Sequence, residues 1–345
     1  MKKKVGIAGF GVVGKRRANF IGKSKELEVV AVCDQTFKNS GNLADGTRYF
    51  SNYRELIDQD LEILFVCISN DMAAEVTIAG LESGFHVFCE KPPARNLTEL
   101  EEVLNCESKY PNLRLKYGFN HRYHMSVKDA LRIVNSGDMG SVLNLRGVYG
   151  KSQLVTFGKD HDWRTSRELA GGGILLDQGI HMVDLMRLFG GEFTEVHSMI
   201  SNSFWNHDVE DNAYALMKTD KNVVAMLHSS ATQWRHSFNL EITLETGMLI
   251  LSGILSGSKS YGNETLTIIK RTGDDRVDPF EEFREYDTDP SWEDEIKDFA
   301  YAICHNLQIV DGNSSDAHKT MSLVYDIYCS DPIWKNKWKL SNSIK

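Results

Sequence analysis

The chain has 345 residues and, at about 150 residues per domain, its length predicts two domains. It carries 39 Lys and Arg against 48 Asp and Glu, a formal net charge of −9, which argues against a dedicated nucleic-acid-binding protein because such proteins neutralise phosphates with a basic surface. With 41% hydrophobic and 25% charged residues, the composition excludes a disordered or collagen-like chain.

The first residues imitate an export signal, because three lysines precede an apolar run over residues 5–13. Glycines interrupt that run, no small-residue cleavage site follows it and the next segment is charged, so we predict no signal peptide. No window reaches the roughly 18 apolar residues of a membrane span. The six cysteines form no CxxC pair, which favours reduced thiols over zinc ligands or disulfides. We therefore expect a cytoplasmic protein without a membrane partner.

The first 120 residues alternate short apolar runs with helical patterns. Predicted strands cover residues 4–8, 29–33, 63–68, 86–89 and 114–117, and predicted helices cover residues 14–21, 53–58, 73–83 and 97–109. Several of the strands are apolar throughout, which is typical of a parallel sheet covered on both faces by crossover helices. This pattern predicts an α/β domain with a Rossmann-type, doubly wound parallel sheet over residues 1–122.

The pattern changes after about residue 122. A helix predicted over residues 127–136 ends at Gly137, and longer alternating segments follow; residues 239–245, for example, alternate apolar with polar side chains. Predicted strands cover residues 142–149, 195–201, 213–218, 223–229, 239–245, 248–251 and 265–270, and predicted helices cover residues 292–307 and 315–328. We predict an α+β domain over residues 123–345 with a large, mostly antiparallel sheet and helices on one side. The other sheet face is expected to meet a second subunit in a homodimer or homotetramer.

A GxGxxG motif follows the first predicted strand and opens the first predicted helix. The first glycine allows a tight turn, the second allows close approach of a pyrophosphate, and the third allows the helix to pack on the strand. The helix N-terminus then attracts the phosphates. The residues that we expect to bind a dinucleotide here are Gly9, Gly11, Val12, Val13 and Gly14.

Asp34 ends the second predicted strand about 20 residues after Gly14, the interval expected of an acid that binds the ribose hydroxyls. Its charge would repel a 2′-phosphate, so NAD is favoured over NADP. Lys15, Arg16 and Arg17 leave NADP open, because a nearby arginine can receive a 2′-phosphate. The alternative is that these three side chains lie on a solvated helix face.

Further motifs follow the later strands. They are Ser69-Asn70-Asp71, Glu90-Lys91-Pro92, Asn120-His121-Arg122-Tyr123, Asp162-Trp163-Arg164 and the sequence AGGGILLDQGIH over residues 170–181. In this order and spacing the set resembles the Gfo/Idh/MocA family (glucose–fructose oxidoreductase, inositol dehydrogenase, MocA) over the whole chain. The resemblance implies a nicotinamide-dependent enzyme that oxidises or reduces a carbinol, mostly on sugars and cyclitols.

The resemblance also implies that Lys91, Asp177 and His181 form the catalytic set. The chemistry agrees, because hydride leaves a carbinol carbon only if the hydroxyl proton leaves too, and His181 titrates near neutrality. Asp177 lies four residues before His181 and would neighbour it on a helix, where it could orient the imidazole or bind a substrate hydroxyl. Lys91 can donate a hydrogen bond to the developing alkoxide. The structural alternatives are a simple helix pair and a solvated lysine.

Other polar side chains are expected near the same chemistry. We assign Asn70 and Glu90, at the carboxyl ends of strands, to the cofactor. The residues assigned to substrate are Asn120, Arg122, Tyr123, Trp163 and Arg164, with packing between domains as the alternative. The family usually has a Thr-Pro pair and then a histidine after the fourth strand. Here Ser69-Asn70-Asp71 and Glu75 stand instead, which puts the contacts to the adenosine side in question.

The segment Asp160-His161-Asp162 carries side chains that can ligate metals. No fourth ligand follows at a suitable spacing, and the family needs no metal, so we predict a loop and no metal site.

The sequence therefore predicts an NAD(P)-dependent dehydrogenase or reductase acting on a sugar, a cyclitol or a nucleotide-activated sugar. The basic and aromatic residues at positions 122–123 and 163–164 favour an anionic sugar. Two alternatives stay open: a redox-neutral, glycosidase-type member that releases a sugar without net change in NADH, and a non-enzymatic dinucleotide sensor. Intact Lys91, Asp177 and His181 argue against a sensor, which has no need of proton transfer.

Overall fold

The computed structural model describes residues 2–154, 163–256, 260–274 and 276–342. Its strands are β1 (Lys3–Ala8), β2 (Leu27–Cys33), β3 (Gly41–Asn42), β4 (Arg48–Phe50), β5 (Ile63–Val66), β6 (His86–Cys89), β7 (Leu115–Tyr117), β8 (Val142–Gly150), β9 (Phe193–Ser201), β10 (Asn212–Thr219), β11 (Val224–Ser230), β12 (Ser237–Leu244), β13 (Gly247–Ser252), β14 (Glu264–Lys270) and β15 (Phe280–Tyr286). Its α-helices are α1 (Val12–Ile21), α2 (Tyr53–Ile57), α3 (Asn70–Glu82), α4 (Leu97–Glu107), α5 (Met125–Ser136), α6 (Arg167–Ala170), α7 (Ile180–Gly190), α8 (Ser291–Cys304), α9 (Ser314–Ser330) and α10 (Pro332–Trp338).

The chain forms two compact units. The first consists of Met1–Asn120, Glu168–Gly171 and Trp292–Met321, and the second of His121–Arg167, Gly172–Ser291 and Ser322–Lys345. The first unit thus includes two later segments, which a single division at residue 122 leaves out.

The first unit contains a seven-stranded sheet in the order β3-β4-β2-β1-β5-β6-β7. All its pairings are parallel except that of β3 with β4. All four residues of β5 are buried, as expected for a strand with both faces covered. On one face Phe299 of α8 lies edge-on to Phe65 and Phe88, which stack at 4.8 Å. The predicted doubly wound parallel sheet is confirmed.

The second unit contains an eight-stranded sheet in the order β15-β14-β13-β12-β8-β11-β10-β9. Every pairing is antiparallel except that of β8 with β11. Along β12 every second side chain is buried, among them Leu240 and Ile242, so the predicted period of two is confirmed. α7 packs closely on β8, because a Cβ on Gly147 would lie 2.5 Å from Met186 and 2.7 Å from Met182.

The opposite face of the same sheet exposes large apolar side chains. They stand on three neighbouring strands and are Met199, Tyr214, Leu216, Val224 and Met226. The strand register places Leu216 opposite Met226 and Tyr214 opposite Met199, so these side chains form one continuous patch. We call this set the outer sheet patch.

Several local predictions can be compared with the structure. Gly137 ends α5 in the left-handed conformation with φ 74°, as its position predicts. Among the described residues, β3, β4, β15, α6 and α10 are elements that the sequence patterns do not predict. The six cysteines are free thiols, and burial raises the pKa of Cys33 to about 11 and that of Cys89 to about 12, so both stay protonated.

None of the helices in the described part of the chain is long and apolar enough to cross a membrane. The described residues also hold no cluster of three or more potential metal ligands, and the predicted loop Asp160-His161-Asp162 lies outside them.

Candidate active site

The turn between β1 and α1 requires glycine at two positions. Gly9 has φ +89°, and a Cβ there would lie 2.2 Å from the Cys67 carbonyl oxygen. A Cβ on Gly14 would lie 1.9 Å from the Gly9 carbonyl oxygen. Gly11 differs, because no atom of the described residues would lie within 4 Å of its Cβ. The fold therefore does not require glycine at position 11, whereas a ligand lying against the backbone there would.

The N-terminus of α1 fits a phosphate group. Gly11 is the N-cap and supplies no side-chain acceptor, so the first backbone N–H groups are not capped by it. Val12, the first residue of the helix, is 51% exposed and has an apolar side chain. The polar groups that this residue presents at the helix N-terminus are therefore those of its backbone. An uncapped helix N-terminus beside an open glycine suits a pyrophosphate.

Asp34 joins the end of β2 to the glycine turn. Its Oδ2 accepts a hydrogen bond from the Phe10 backbone N–H at 2.9 Å, and its Oδ1 accepts from the Thr36 N–H at 3.0 Å and the Thr36 hydroxyl at 2.7 Å. These bonds fix the carboxylate in one orientation. Oδ1 already accepts two hydrogen bonds, whereas Oδ2 accepts one, so Oδ2 can still receive a hydroxyl donor.

Arg17 has a role that the sequence analysis missed. Its side chain is fully buried between the rings of Phe88 and Trp292, at 4.4 and 4.3 Å, and pairs with Glu90 at 2.6 Å and Glu295 at 2.7 Å. The alternative that Arg17 lies on a solvated helix face is wrong, because α8 covers this face of α1. Burial disfavours the charge, but the two carboxylates outweigh it and raise the pKa of Arg17.

Glu90 and Asn70, both assigned to the cofactor, make contacts inside the first unit. Glu90 accepts the Nε–H of Arg17, and this pair lies directly before Lys91 and a cis Lys91–Pro92 peptide bond. The Asn70 side chain is buried at the start of α3 and donates to the Ala170 carbonyl at 2.8 Å. Both side chains thus order the carboxyl edge of the sheet, and contact with a cofactor stays a prediction.

In the second unit, Asp177 lies in a π-helical segment, Leu175–Gly179, that leads directly into α7. Its carboxylate lies 3.6 Å from Lys151 Nζ and 3.7 Å from Arg164 Nε. Lys151, at the end of β8, is a residue that the sequence analysis missed. Arg164 also stacks on Trp163, with 4.2 Å between the guanidinium and the ring centroid, so two predicted substrate residues contact each other and one of them lies beside Asp177.

His181, in the first turn of α7, lies face to face with His121. The two ring centroids are 3.7 Å apart with 12° between the planes, and both residues are buried. His121 Nε2 lies 3.1 Å from the Tyr149 hydroxyl. The sequence analysis left His121 without a role, although it lies within a quoted motif.

The remaining predicted substrate residues are largely buried. Arg122 forms a two-bond ion pair with Asp184 of α7, with both distances 2.7 Å. Tyr123 is buried, with the ammonium of Lys128 5.3 Å from its ring centre. Asn120 is buried at the end of the first unit. Binding of substrate by these three residues stays a prediction, and Arg122 contributes to the position of α7.

Glu210 holds the glycine-rich segment that precedes Asp177. The carboxylate is fully buried and accepts hydrogen bonds from the N–H groups of Gly173 and Leu175, at 2.8 and 3.0 Å, and from the Tyr328 hydroxyl at 2.6 Å. A Cβ on Gly173 would lie 2.1 Å from the Glu210 carbonyl oxygen. Burial raises the pKa of Glu210, and these donors oppose the shift.

Comparison with known families identifies both halves of the chain. Residues 3–119 match the oxidoreductase family with an NAD-binding Rossmann fold, and residues 127–250 match the GFO/IDH/MocA C-terminal domain. The protein is therefore an oxidoreductase of the NAD(P)-binding class. More narrowly, the chain belongs to the GFO/IDH/MocA family, which confirms the resemblance of its motifs.

Curated relatives include levoglucosan dehydrogenase of Pseudarthrobacter phenanthrenivorans, 29% identical over 57% of this chain and 53% of that protein. Inositol 2-dehydrogenase of Salmonella typhimurium is 26% identical over 75% of this chain and 76% of its own length. D-glucoside 3-dehydrogenase of Escherichia coli is 32% identical over 58% of this chain and 57% of its own length. This chain thus aligns with about half the length of levoglucosan dehydrogenase and of D-glucoside 3-dehydrogenase.

A solved structure of levoglucosan dehydrogenase in complex with NADH has the same fold. The TM-score is 0.82 at 20% identity, over 97% of this chain and 98% of that one. The open Gly11, the uncapped α1 and the fixed Asp34 fit such a dinucleotide, and NAD(P) is the cofactor of this family.

Proposed function

We propose that the protein transfers hydride between NAD and a carbinol or ketone of a sugar, a cyclitol or a nucleotide-activated sugar. The observation that carries this proposal is the arrangement in the second unit: a carboxylate between two cations at Asp177, followed by the buried imidazole of His181. A binding module without chemistry has no need of such a set. The named activities of the relatives, on levoglucosan, inositol and glucosides, support this class of substrate.

The cofactor supplies the hydride acceptor or donor when bound. In the proposal, the backbone of Gly9, Gly11 and Gly14 and the N-terminus of α1 bind the pyrophosphate. The Asp34 carboxylate receives the ribose hydroxyls and rejects a 2′-phosphate, so we expect NAD to be preferred. Arg17 supplies no site for a 2′-phosphate, because its guanidinium is held by Glu90 and Glu295.

The proton is handled by side chains of this chain. During oxidation a ring nitrogen of His181 takes the hydroxyl proton as the carbinol C–H bond breaks and a carbonyl forms. Lys91 Nζ donates a hydrogen bond to the same oxygen and stabilises its developing negative charge. Asp177, held by Lys151 and Arg164, orients a substrate hydroxyl. In the reverse direction His181 returns the proton.

The charges around Asp177 favour an anionic substrate. Two basic side chains, Lys151 at 3.6 Å and Arg164 at 3.7 Å, lie beside the Asp177 carboxylate, and Trp163 stacks on Arg164. A phosphate-bearing or nucleotide-activated sugar complements such a region better than a neutral cyclitol does. We therefore rank the nucleotide-activated sugar first within the proposed class.

The variants Lys91→Ala and His181→Ala test the proposal, together with a panel of sugars, cyclitols and nucleotide sugars followed by NADH absorbance. Both variants should still bind NADH, measured by fluorescence, and should lose at least about 100-fold in turnover. Lys38→Ala and His197→Ala, at exposed positions, are the controls. Unchanged turnover in both active-site variants contradicts the assignment. Sugar release without net NADH change identifies the redox-neutral alternative.

We also propose that the chain acts in the cytoplasm as a homodimer or homotetramer. The outer sheet patch supports self-association, because a monomer rarely leaves a continuous patch of large apolar side chains in water. A two-fold axis over the sheet would bury the patch of each copy against the other.

A further inference from the structure

The stacked pair His121 and His181 is a feature that the proposed function does not use. Parallel imidazoles with centroids 3.7 Å apart are in van der Waals contact over their whole faces. Both residues are buried, with relative exposures of 8% and 5%, so water can screen little of any charge on the two rings. Two positive rings at this distance repel strongly, because burial weakens solvent screening.

His121 is itself held in place. Its Nε2 lies 3.1 Å from the Tyr149 hydroxyl, and its ring contacts the rings of Tyr149 and Phe238. Burial, with a further contribution from Tyr261, raises the pKa of Tyr149 well above its usual value, so the phenol stays neutral. The anchor on His121 is therefore an uncharged hydroxyl that can donate to or accept from the ring.

Other titratable groups surround the pair from several elements. His124 lies edge-on to His121 at 5.4 Å and is bonded at 2.8 Å to the buried Glu264 of β14. The His124 partner lowers the pKa of Glu264 against the effect of burial. Charged groups on the neighbouring described elements include Arg122 with Asp184 on α7, Asp177 with Lys151 and Arg164, and Asp289, which lies 4.0 Å from His124.

We propose that His121 is a positioning residue for the base: it fixes the plane of the His181 imidazole and restricts the stacked pair to a single positive charge. This inference rests on the proposed function of His181. A proton that enters the pair from solvent resides on His121 in a fraction of the molecules. In that fraction the His181 ring stays neutral, so the base remains competent at lower pH than an isolated imidazole would.

Two variants separate the two parts of this role. His121→Phe keeps a flat ring for stacking but removes the charge and the bond to Tyr149. His121→Gln keeps an amide that can bond Tyr149 but removes the ring and the charge. His228→Gln is the control, because His228 also stacks on an aromatic ring, Tyr214 at 4.1 Å, on the outer face of the sheet.

The first measurement needs no substrate. Ring ¹⁵N–¹H correlation spectra of the histidine-labelled full chain are recorded from pH 5 to 9 and assigned by the signals lost in the His121 and His181 variants. In the wild type, His121 and His181 should titrate together in two steps separated by about 1 pH unit or more. In both His121 variants His181 should show a single step. Independent single steps in the wild type overturn the proposal.

The second measurement is the pH profile of kcat/KM with the best substrate of the panel. In both His121 variants the acid limb should move to higher pH by at least about half a unit, because His181 then takes every proton that enters the site. His121→Phe should keep a higher kcat than His121→Gln, because it retains the stack. NADH affinity and the His228→Gln profile should stay within twofold of wild type.

The outcomes distinguish this inference from the proposed function. If His181→Ala leaves turnover intact, the proposed base is wrong, whatever the spectra show. If His181→Ala abolishes turnover while the acid limb stays in place in both His121 variants, the proposed role of His121 is overturned.

Discussion

The Tyr328 hydroxyl donates a 2.6 Å hydrogen bond to Oε1 of Glu210, which ties α9 to the acid that holds the glycine-rich segment. Both groups are fully buried, and burial raises the pKa of each. The same carboxylate accepts the Gly173 and Leu175 N–H groups, so the segment leading to Asp177 is fixed by a residue 37 and 35 positions away from these donors in sequence. Stability of the second unit should therefore depend on this bond.

Tyr328→Phe should lower the free energy of unfolding by about 1.5–3 kcal/mol, because the substitution removes one donor to a buried, charged acceptor. Urea unfolding followed by circular dichroism measures the effect. Tyr301→Phe, at a 56% exposed position, is the control and should change stability by less than about 0.5 kcal/mol. Equal effects of the two substitutions would contradict the bond to Glu210.

Gly11→Ala and Gly14→Ala should separate a ligand constraint from a fold constraint. The Cβ of Gly14→Ala would overlap the Gly9 carbonyl, so that variant should lose about 3 kcal/mol of stability. Gly11→Ala has open space and should unfold like the wild type, but its NADH dissociation constant should rise at least about tenfold. Gly273→Ala, also in open space, is the control for both assays. Unaltered NADH binding by Gly11→Ala would argue against pyrophosphate at this turn.

Asp34→Asn should weaken NAD binding about tenfold and raise the ratio of NADP to NAD turnover, because the amide keeps an acceptor for Thr36 but no longer repels a 2′-phosphate. Asp45→Asn is a close control, since Asp45 also accepts the N–H two residues ahead, from Thr47 at 2.9 Å. Turnover with both cofactors over a concentration series gives the ratio. If Asp34→Asn leaves the ratio of NADP to NAD turnover unchanged, Asp34 does not determine the preference for NAD.

Glu295→Gln should make stability less dependent on pH. Burial raises the pKa of Glu295 to about 7 despite Arg17, whereas an unfolded glutamate titrates near 4.5. The folded state therefore binds the proton more tightly, and this contribution to stability is present below about pH 4.5 and is lost as the pH rises through 7.

The Tm of Glu295→Gln relative to the wild type should accordingly increase from pH 5 to pH 8, measured by differential scanning fluorimetry. Glu281→Gln, at an exposed position on β15, should follow the wild type throughout. A constant difference between Glu295→Gln and the wild type would show that the carboxyl is ionised over the whole range.

Leu216→Lys should dissociate the proposed oligomer, because it places a charge in the middle of the outer sheet patch. Sedimentation velocity should show the wild type above monomer mass and the variant at 39.0 kDa. Ile333→Lys, at an 81% exposed position on α10, is the control and should sediment with the wild type. A wild type that is already monomeric at micromolar concentration would contradict the proposed oligomer.

Much of the fold could be predicted because local patterns determined it. The apolar run that became β5 and the alternation of β12 each show a period that matches the burial observed. β15 was missed because Phe280–Tyr286 exposes or half-exposes all of its residues and therefore has no buried face to mark it. α10 begins with a Pro at its first position, and its apolar side chains besides the two tryptophans include the 81% exposed Ile333, so no buried apolar period marks the helix.

The site was predicted less completely than the fold. Gly9, Gly14 and Asp34 could be found because their spacing follows from the geometry of one turn. The partners of Arg17 could not, because Glu90 and Glu295 lie 73 and 278 positions further on and only the folded chain brings them to α1. Lys151 and His121 were missed for the same reason, since each acts through a residue of α7 or of the segment before it.

Because Leu175–Gly179 is a π-helical segment, the direction in which Asp177 points depends on the number of residues in the segment as well as on its side chains. Each residue of a regular helix turns the chain by about 100°, and a π segment contains one residue more than the regular turn needs. Loss of Gln178 would restore a regular helix and rotate Asp177 away from Lys151 and Arg164, while α7 could keep its packing on β8. A one-residue deletion could thus separate the carboxylate from its cations without replacing any of the three.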